Sequence, residues 1–325
     1  MRAVLCQQHG IPASLTLTDI AEPTPGPNDV AIAVDACGLN FPDVLMIAGR
    51  YQVQPPLPFV PGLEIAGRIT ALGERVRGFT AGQRVGAFMA SGGLAELAVA
   101  PAASVYPIPD EVPAPLAAAF TLAYGTSYHA LHDRGAINSG DTVLVLGAAG
   151  GVGLAAVDIA VAAGARVIAA ASTAEKLDAA KALGATDLIN YVDESLVDRV
   201  RELTDKRGAD IIYDPVGAEF TDQALRCLAW GGRLLIVGFA AGDIASLPAN
   251  RLLLKGAAAV GVYWGQHVAN EPSKHAHNMG ELQRLLQTGL LHPTIQPPVP
   301  LEDAIDALTT LAERRAIGKL VVAVR

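Results

Sequence analysis

A chain of 325 residues is about twice the length of a typical single domain and long enough to bury two cores. Its 24 basic and 32 acidic residues leave a formal charge of −8 with no basic run, which argues against nucleic acid or an anionic membrane as the main partner. Apolar residues make up 51% of the chain, too many for disorder, and the most apolar stretch, Thr142 to Val157, is Gly-rich and stops at Asp158, short of the roughly 18 apolar residues of a membrane span.

The opening MRAVLCQQHG has no apolar core for a secretion signal, so a soluble cytoplasmic protein is expected. The first 120 residues are short β-like runs, among them Val30–Ala36, Ile65–Leu72, Arg84–Phe88 and Leu97–Val99, punctuated by Gly and Pro. That texture predicts an antiparallel, barrel-like domain over 1–122. From Ala123 the texture changes. Apolar strands at Thr142–Gly147, Val167–Ala171, Leu188–Tyr191, Ile211–Asp214, Leu234–Gly238 and Ala257–Tyr263 alternate with helices at 151–163, Glu175–Leu183, Glu194–Thr204 and Phe220–Trp230. The alternation predicts a doubly wound α/β domain with a parallel sheet over 123–262. The tail, 263–325, has helices near Ser273–Gln287 and Glu302–Arg314 and a last strand, Lys319–Val324; it is expected to pack on the first domain.

The run from Val143 to Gly153 is a strand, a Gly-rich turn and a helix start, the context in which backbone N–H groups cradle a pyrophosphate. Ala149, Gly150, Gly151 and Val152 are the candidate contacts; the competing reading is a tight packing turn. About 20 residues on, where an acid usually holds the ribose hydroxyls of NAD, this chain has Ser172 followed by Lys176. A hydroxyl and an ammonium suit a 2′-phosphate, so NADPH is expected over NADH. A capping box Ser172-Thr-Ala-Glu175 is the alternative. Phe239 follows an apolar strand at its carboxyl end, where ligands gather in open α/β sheets.

The cysteines, Cys6, Cys37 and Cys227, share no metal spacing, and the close histidine pairs His129/His132 and His275/His277 have no third ligand at a recognisable distance. No metal is expected.

These residues make the chain resemble the quinone oxidoreductase (zeta-crystallin-like) branch of the medium-chain dehydrogenase/reductase superfamily. The carriers are GLNFPDVLMIAGRYQ (38–52), PFVPGLEIAGRI (58–69), GAAGGVG (147–153), INY (189–191), YDPVG (213–217) and GGRLLIVGFAAG (231–242). The stretch 227–265 looks especially like one subgroup of it, the quinone oxidoreductase-like proteins. The resemblance implies a GroES-like β-barrel catalytic domain completed by the tail, a Rossmann domain, and NADPH in the cleft between them. It implies that Thr126 approaches the nicotinamide, that Tyr191 joins Ser172 and Lys176 at the phosphate, and that Val216 lies in a cofactor-binding loop. Tyr263 and Trp264 line the cleft or a subunit seam. Zinc-dependent members of the superfamily carry Cys and His where this chain has Asn40 and Leu63, neither of which suits zinc. Without a Lewis acid, hydride delivery to a conjugated carbon remains, with quinones and α,β-unsaturated carbonyls as substrates.

Asn40, Asp43 and Tyr51 form N-x-x-D-x7-Y, the spacing of the related enoyl-thioester reductases, whose tyrosine is the proposed proton donor. A phenol protonates an enolate or polarises a quinone carbonyl. Asn40 would fix the nicotinamide ribose or amide, and Asp43 either acts with them or anchors the loop. Three readings stand: a quinone reductase, a 2-enoyl or enone reductase, and a non-catalytic NADPH-binding sensor. Family dimers pair the last Rossmann strand edge to edge, and an uncharged apolar edge here independently supports a homodimer.

Overall fold

The computed structural model describes residues 1–325. In chain order, β1 (Arg2–Leu5), β2 (Thr16–Asp19), β3 (Asp29–Gly38), α1 (Phe41–Ile47), β4 (Glu64–Leu72), β5 (Arg84–Phe88), β6 (Leu97–Pro101) and β7 (Val105–Pro107) lead into α2 (Ala114–Tyr128). Then β8 (Thr142–Leu146), α3 (Gly151–Ala162), β9 (Arg166–Ala171), α4 (Ala174–Ala182), β10 (Asp187–Asn190), α5 (Leu196–Leu203), β11 (Ala209–Asp214), α6 (Ala218–Cys227) and β12 (Leu228–Ile236) alternate. The chain continues through α7 (Ala249–Lys255), β13 (Ala258–Gly261), α8 (Trp264–Asn270) and α9 (Pro272–Gln287) to β14 (Val299–Pro300), α10 (Ala304–Ala312) and β15 (Val321–Ala323).

Two compact units result: Met1–Leu122 with Ile295–Arg325, and Ala123–Thr294. In the first, a seven-stranded sheet runs β14-β15-β3-β4-β5-β7, with β6 also on β3. The long β3 pairs antiparallel with β4, and along its other side with β6 through 29–33 and β15 through 36–38. This is the β-rich domain expected of the first 122 residues, completed by the end of the chain. Its core joins Ala36, Ala66, Ala117, Ala118 and Val321, small side chains that let α2 settle on the sheet. Gly38 shows how closely: a Cβ there would stand 2.0 Å from the Ala118 carbonyl oxygen.

The second unit is a six-stranded parallel sheet in the order β10-β9-β8-β11-β12-β13. Continuous apolar runs such as Thr142–Leu146, fully buried, are what a sheet interior requires. The strand order reverses between β8 and β11, which in open α/β sheets is where ligands bind, outside the carboxyl ends of the strands.

Three expectations need correction. The helix predicted to Trp230 ends at Cys227, because pairing with β11 begins at Leu228 and makes 228–236 a strand on which Trp230 is 80% exposed. The strand predicted over Ala257–Tyr263 is shorter, and Tyr263 is the N-cap of α8. The segment 263–294, expected with the first domain, groups with the second, where Asn278 of α9 donates to Asp133 at 2.7 Å; only Ile295–Arg325 returns to the first.

Candidate functional site

After β8 the backbone turns through Gly147 at φ +57°. A Cβ on Gly153 would lie 2.2 Å from the Gly147 carbonyl oxygen, so the turn wraps the start of α3 as only glycine allows. Gly150 is the N-cap of α3 and no side chain caps the helix, which leaves the first-turn N–H groups and the positive end of the helix for an anion. Ala149 is buried, whereas Gly150, Gly151 and Val152 are half-buried. From behind, the buried Ser127 hydroxyl donates to the Val152 carbonyl at 2.9 Å and meets the Tyr213 hydroxyl at 2.9 Å.

Neighbouring strand ends converge on this turn. Asp214 closes β11 by accepting from the backbone N–H groups of Val216 and Gly217, both at 2.9 Å, and from the Thr221 hydroxyl at 2.6 Å. Val216 is thereby held against the turn, 3.0 Å from where a Gly147 Cβ would be. The loop after β12 folds back through Ala240 N–H to Pro215 O (3.1 Å) and Ala241 N–H to Val216 O (2.8 Å), which sets the half-buried Phe239 beside Gly217.

At the tip of β9 the Lys176 ammonium donates to the Ser172 hydroxyl at 3.3 Å. The predicted capping box is corrected here: Thr173, not Ser172, is the N-cap of α4 and accepts from Lys176 N–H. Ser172 is thus released from capping. Burial lowers the ammonium pKa of Lys176, an effect that a bound dianion would oppose. On the adjacent strand end Tyr191 donates its N–H to Ala171 O at 3.2 Å, and its ring meets Phe220 edge-on at 4.8 Å. Thr126 is half-buried on α2, next to Gly125, where a Cβ would strike Trp264 at 2.8 Å; Trp264 is core and Tyr263 is 46% exposed.

In the first unit, Asn40 caps α1 and Asp43 sits in its first turn. Both Asp43 carboxylate oxygens are taken by backbone donors, Asn40 N–H at 2.8 Å and Gly62 N–H at 2.9 Å, and the side chain is fully buried. The structure therefore makes Asp43 an anchor joining the α1 start to the Gly62 turn, rather than a group presented to substrate. Burial pushes its carboxyl up to about 7, against the opposing pull of the two N–H groups and Lys319. Tyr51 lies half-buried in the loop after α1, where its carbonyl accepts from the Gln54 amide at 3.3 Å.

Two residues of this cluster escaped the sequence reading. Glu64, fully buried, accepts from the Asn40 amide at 3.0 Å and from Leu122 N–H at 2.9 Å. Lys319, 5% exposed, donates to both Asn40 Oδ1 and Glu64 Oε1. The available signal was a lysine opening an otherwise apolar strand. The arrangement also bears on zinc. At the two positions where the resemblance would place metal ligands stand Asn40 and the buried Leu63, and a fixed ammonium already binds the oxygens of Asn40 and Glu64. The residues present do not fit a zinc ion there.

The zinc-binding dehydrogenase family matches residues 151–279, and the alcohol dehydrogenase GroES-like domain matches 26–110. A quinone oxidoreductase-like protein 2 homolog of Nematostella vectensis is 40% identical, over 99% of this chain and 88% of its own length. A probable oxidoreductase of Mycobacterium abscessus shares 36% identity at a TM-score of 0.89, covering 100% of this chain and 99% of that one. The Escherichia coli quinone oxidoreductase, solved in complex with NADPH, shares 28% identity at a TM-score of 0.94 with both chains fully covered.

Proposed function

The chain belongs to the quinone oxidoreductase-like branch of the medium-chain dehydrogenase/reductase superfamily, and from that premise we propose that it is an NADPH-dependent, zinc-independent reductase of quinones. The observation that carries the cofactor choice is the Ser172–Lys176 pair at the tip of β9, with a hydroxyl where NAD-binding domains place an acid. Residues 149–152 would receive the pyrophosphate on backbone N–H groups. Ser172, Lys176 and Tyr191 would hold the 2′-phosphate, and Thr126, Val216, Phe239 and Tyr263 the nicotinamide half. When bound, NADPH supplies a hydride to a carbon activated by conjugation. Tyr51 would donate a hydrogen bond to the substrate oxygen on which charge develops. Glu64 and Lys319 would act through Asn40 by fixing its amide.

The N-x-x-D-x7-Y spacing favours a second reading, reduction of an enone or 2-enoyl substrate with Tyr51 as proton donor. NADPH oxidation with a small benzoquinone and with an enal or enoyl thioester, run side by side, decides between them. Turnover with the quinone alone supports the first reading and faster turnover with the alkene supports the second. Tight NADPH binding with neither consumed would leave a sensing protein.

A homodimer belongs to the same proposal. β13 is hydrogen-bonded on one side only, to β12, and Leu253, Leu254 and Trp230 are exposed by 73–80%. An open apolar edge of this kind is protected when a second copy pairs with it. No helix is long and apolar enough to cross a membrane, and a cytoplasmic location is proposed with the rest.

A further inference from the structure

Residues 123–128 of α2 lie in the second unit, where that end of the helix is held on two sides. Toward α8, a Cβ on Gly125 would stand 2.8 Å from the Trp264 ring. Just beyond α2, His129 stacks on His267 of α8 with ring centroids 3.9 Å apart. Toward α3, the Tyr124 hydroxyl donates to Asp158 Oδ2 at 2.7 Å, and the Ser127 hydroxyl donates to the Val152 carbonyl at 2.9 Å.

A serine inside a helix ordinarily returns its hydroxyl to its own helix, at the carbonyl four residues back. Ser127 commits its single proton to another helix instead, 25 positions along the chain. Its oxygen therefore accepts from the Tyr213 hydroxyl, 2.9 Å away, and the hydrogen bonds run from Tyr213 to Ser127 to Val152. Ser127 and Tyr213 are both fully buried, so each bond satisfies a group that water does not reach.

The carbonyl that Ser127 holds belongs to the peptide joining Val152 to Gly153. That peptide is planar and trans, so a grip on its oxygen sets the direction of the Gly153 N–H on its other side. The Gly153 N–H is one of the first-turn donors at the uncapped start of α3. Asp158 is six residues further on, about 9 Å down the helix axis, so the Tyr124 bond joins α2 to α3 without reaching this turn.

We propose that Ser127 is a positioning residue for the dinucleotide. Its bond to Val152 fixes the tilt of the first turn of α3 beneath the pyrophosphate, and ties that turn to the stretch of α2 that carries Thr126. This role rests on the NADPH reading given above. The pyrophosphate is common to NADPH and NADH, so Ser127 serves both cofactors alike, whereas Lys176 serves the 2′-phosphate alone. Tyr213 satisfies the Ser127 oxygen without supplying the proton, and Ser127 still donates to Val152 in its absence.

The test compares Ser127→Ala with Tyr213→Phe, each of which removes one hydroxyl from the same buried chain of hydrogen bonds. Both should lower the urea midpoint. Dissociation constants for NADPH and NADH, read from nicotinamide fluorescence, should rise about tenfold in Ser127→Ala, the scale of one hydrogen bond, and by the same factor for both. In Tyr213→Phe they should stay within about twofold of wild type. In the cofactor-free chain, amide hydrogen exchange over 151–157 should be several-fold faster in Ser127→Ala than in Tyr213→Phe. Unchanged cofactor affinity in Ser127→Ala overturns the assignment, as does equal exchange in the two variants. An equal loss of affinity in both variants also overturns it, because general loosening of the core would then be the cause. A loss confined to NADPH overturns it too, since the effect would lie at the 2′-phosphate. No binding of either cofactor by the wild type overturns the NADPH reading and this role with it, and faster exchange in Ser127→Ala would then mark a purely structural tie.

Discussion

Lys319 and Glu64, 255 positions apart in sequence, form a buried ion pair that also fixes the Asn40 amide. Removing one partner leaves an uncompensated buried charge, which costs about 3–5 kcal/mol. Lys319→Met is expected to destabilise the first unit by that amount in urea unfolding, and the double variant Lys319→Met/Glu64→Gln to recover most of the loss. Equal losses in the single and double variants would count against a coupled pair.

Asp43 gives a pH dependence with a definite sign. Its carboxyl titrates near 7 folded and near 4 unfolded, so between those values the folded chain holds a proton that the unfolded chain has released. Stability from this group is therefore full below about pH 4 and falls as pH rises towards 7. Asp43→Asn loses one backbone bond at every pH but should not show that decline. Unfolding free energies at pH 5 and pH 8 should converge between wild type and variant as pH rises; parallel profiles would refute the assignment.

Lys176→Ala should raise the Michaelis constant for NADPH by about ten- to a hundredfold, the loss of one charge-assisted bond of about 1.5–3 kcal/mol, and leave that for NADH nearly unchanged. Equal effects on the two cofactors would end the 2′-phosphate assignment.

Tyr51→Phe removes a hydroxyl and little volume. It is expected to slow alkene reduction by about 10²-fold or more, the scale of a lost general acid, and quinone reduction much less. Unchanged rates on both substrates would return Tyr51 to an ordinary loop residue.

What could be read from sequence was whatever local composition dictates. The strands 142–146, 166–171 and 209–214 are apolar on both faces, and the glycines at 147 and 153 have a steric reason that any chain with this turn must meet. α2 left no such trace, since Ala, Leu, Phe and Thr surround it on every side and no polar stripe marks a helical period. The ion pair of Glu64 with Lys319, and the meeting of His267 with His129, depend on contacts between distant segments. Nothing in the spacing of residues near either partner encodes them. Ser172 suits both a helix cap and a phosphate contact, and the choice depends on which of two neighbouring hydroxyls takes the cap.

The first unit is assembled from both flanks of the second, with β15 completing β3 and Lys319 neutralising Glu64. On the ribosome, residues 123–294 are all made before that strand and that charge exist. The usual N-to-C order of maturation is thereby inverted: the embedded unit is the first to have every residue it needs. Until 295–325 emerge, the earlier-made segment carries an open flank on β3 and an acid with no counter-charge. This nascent form is the one most in need of a chaperone.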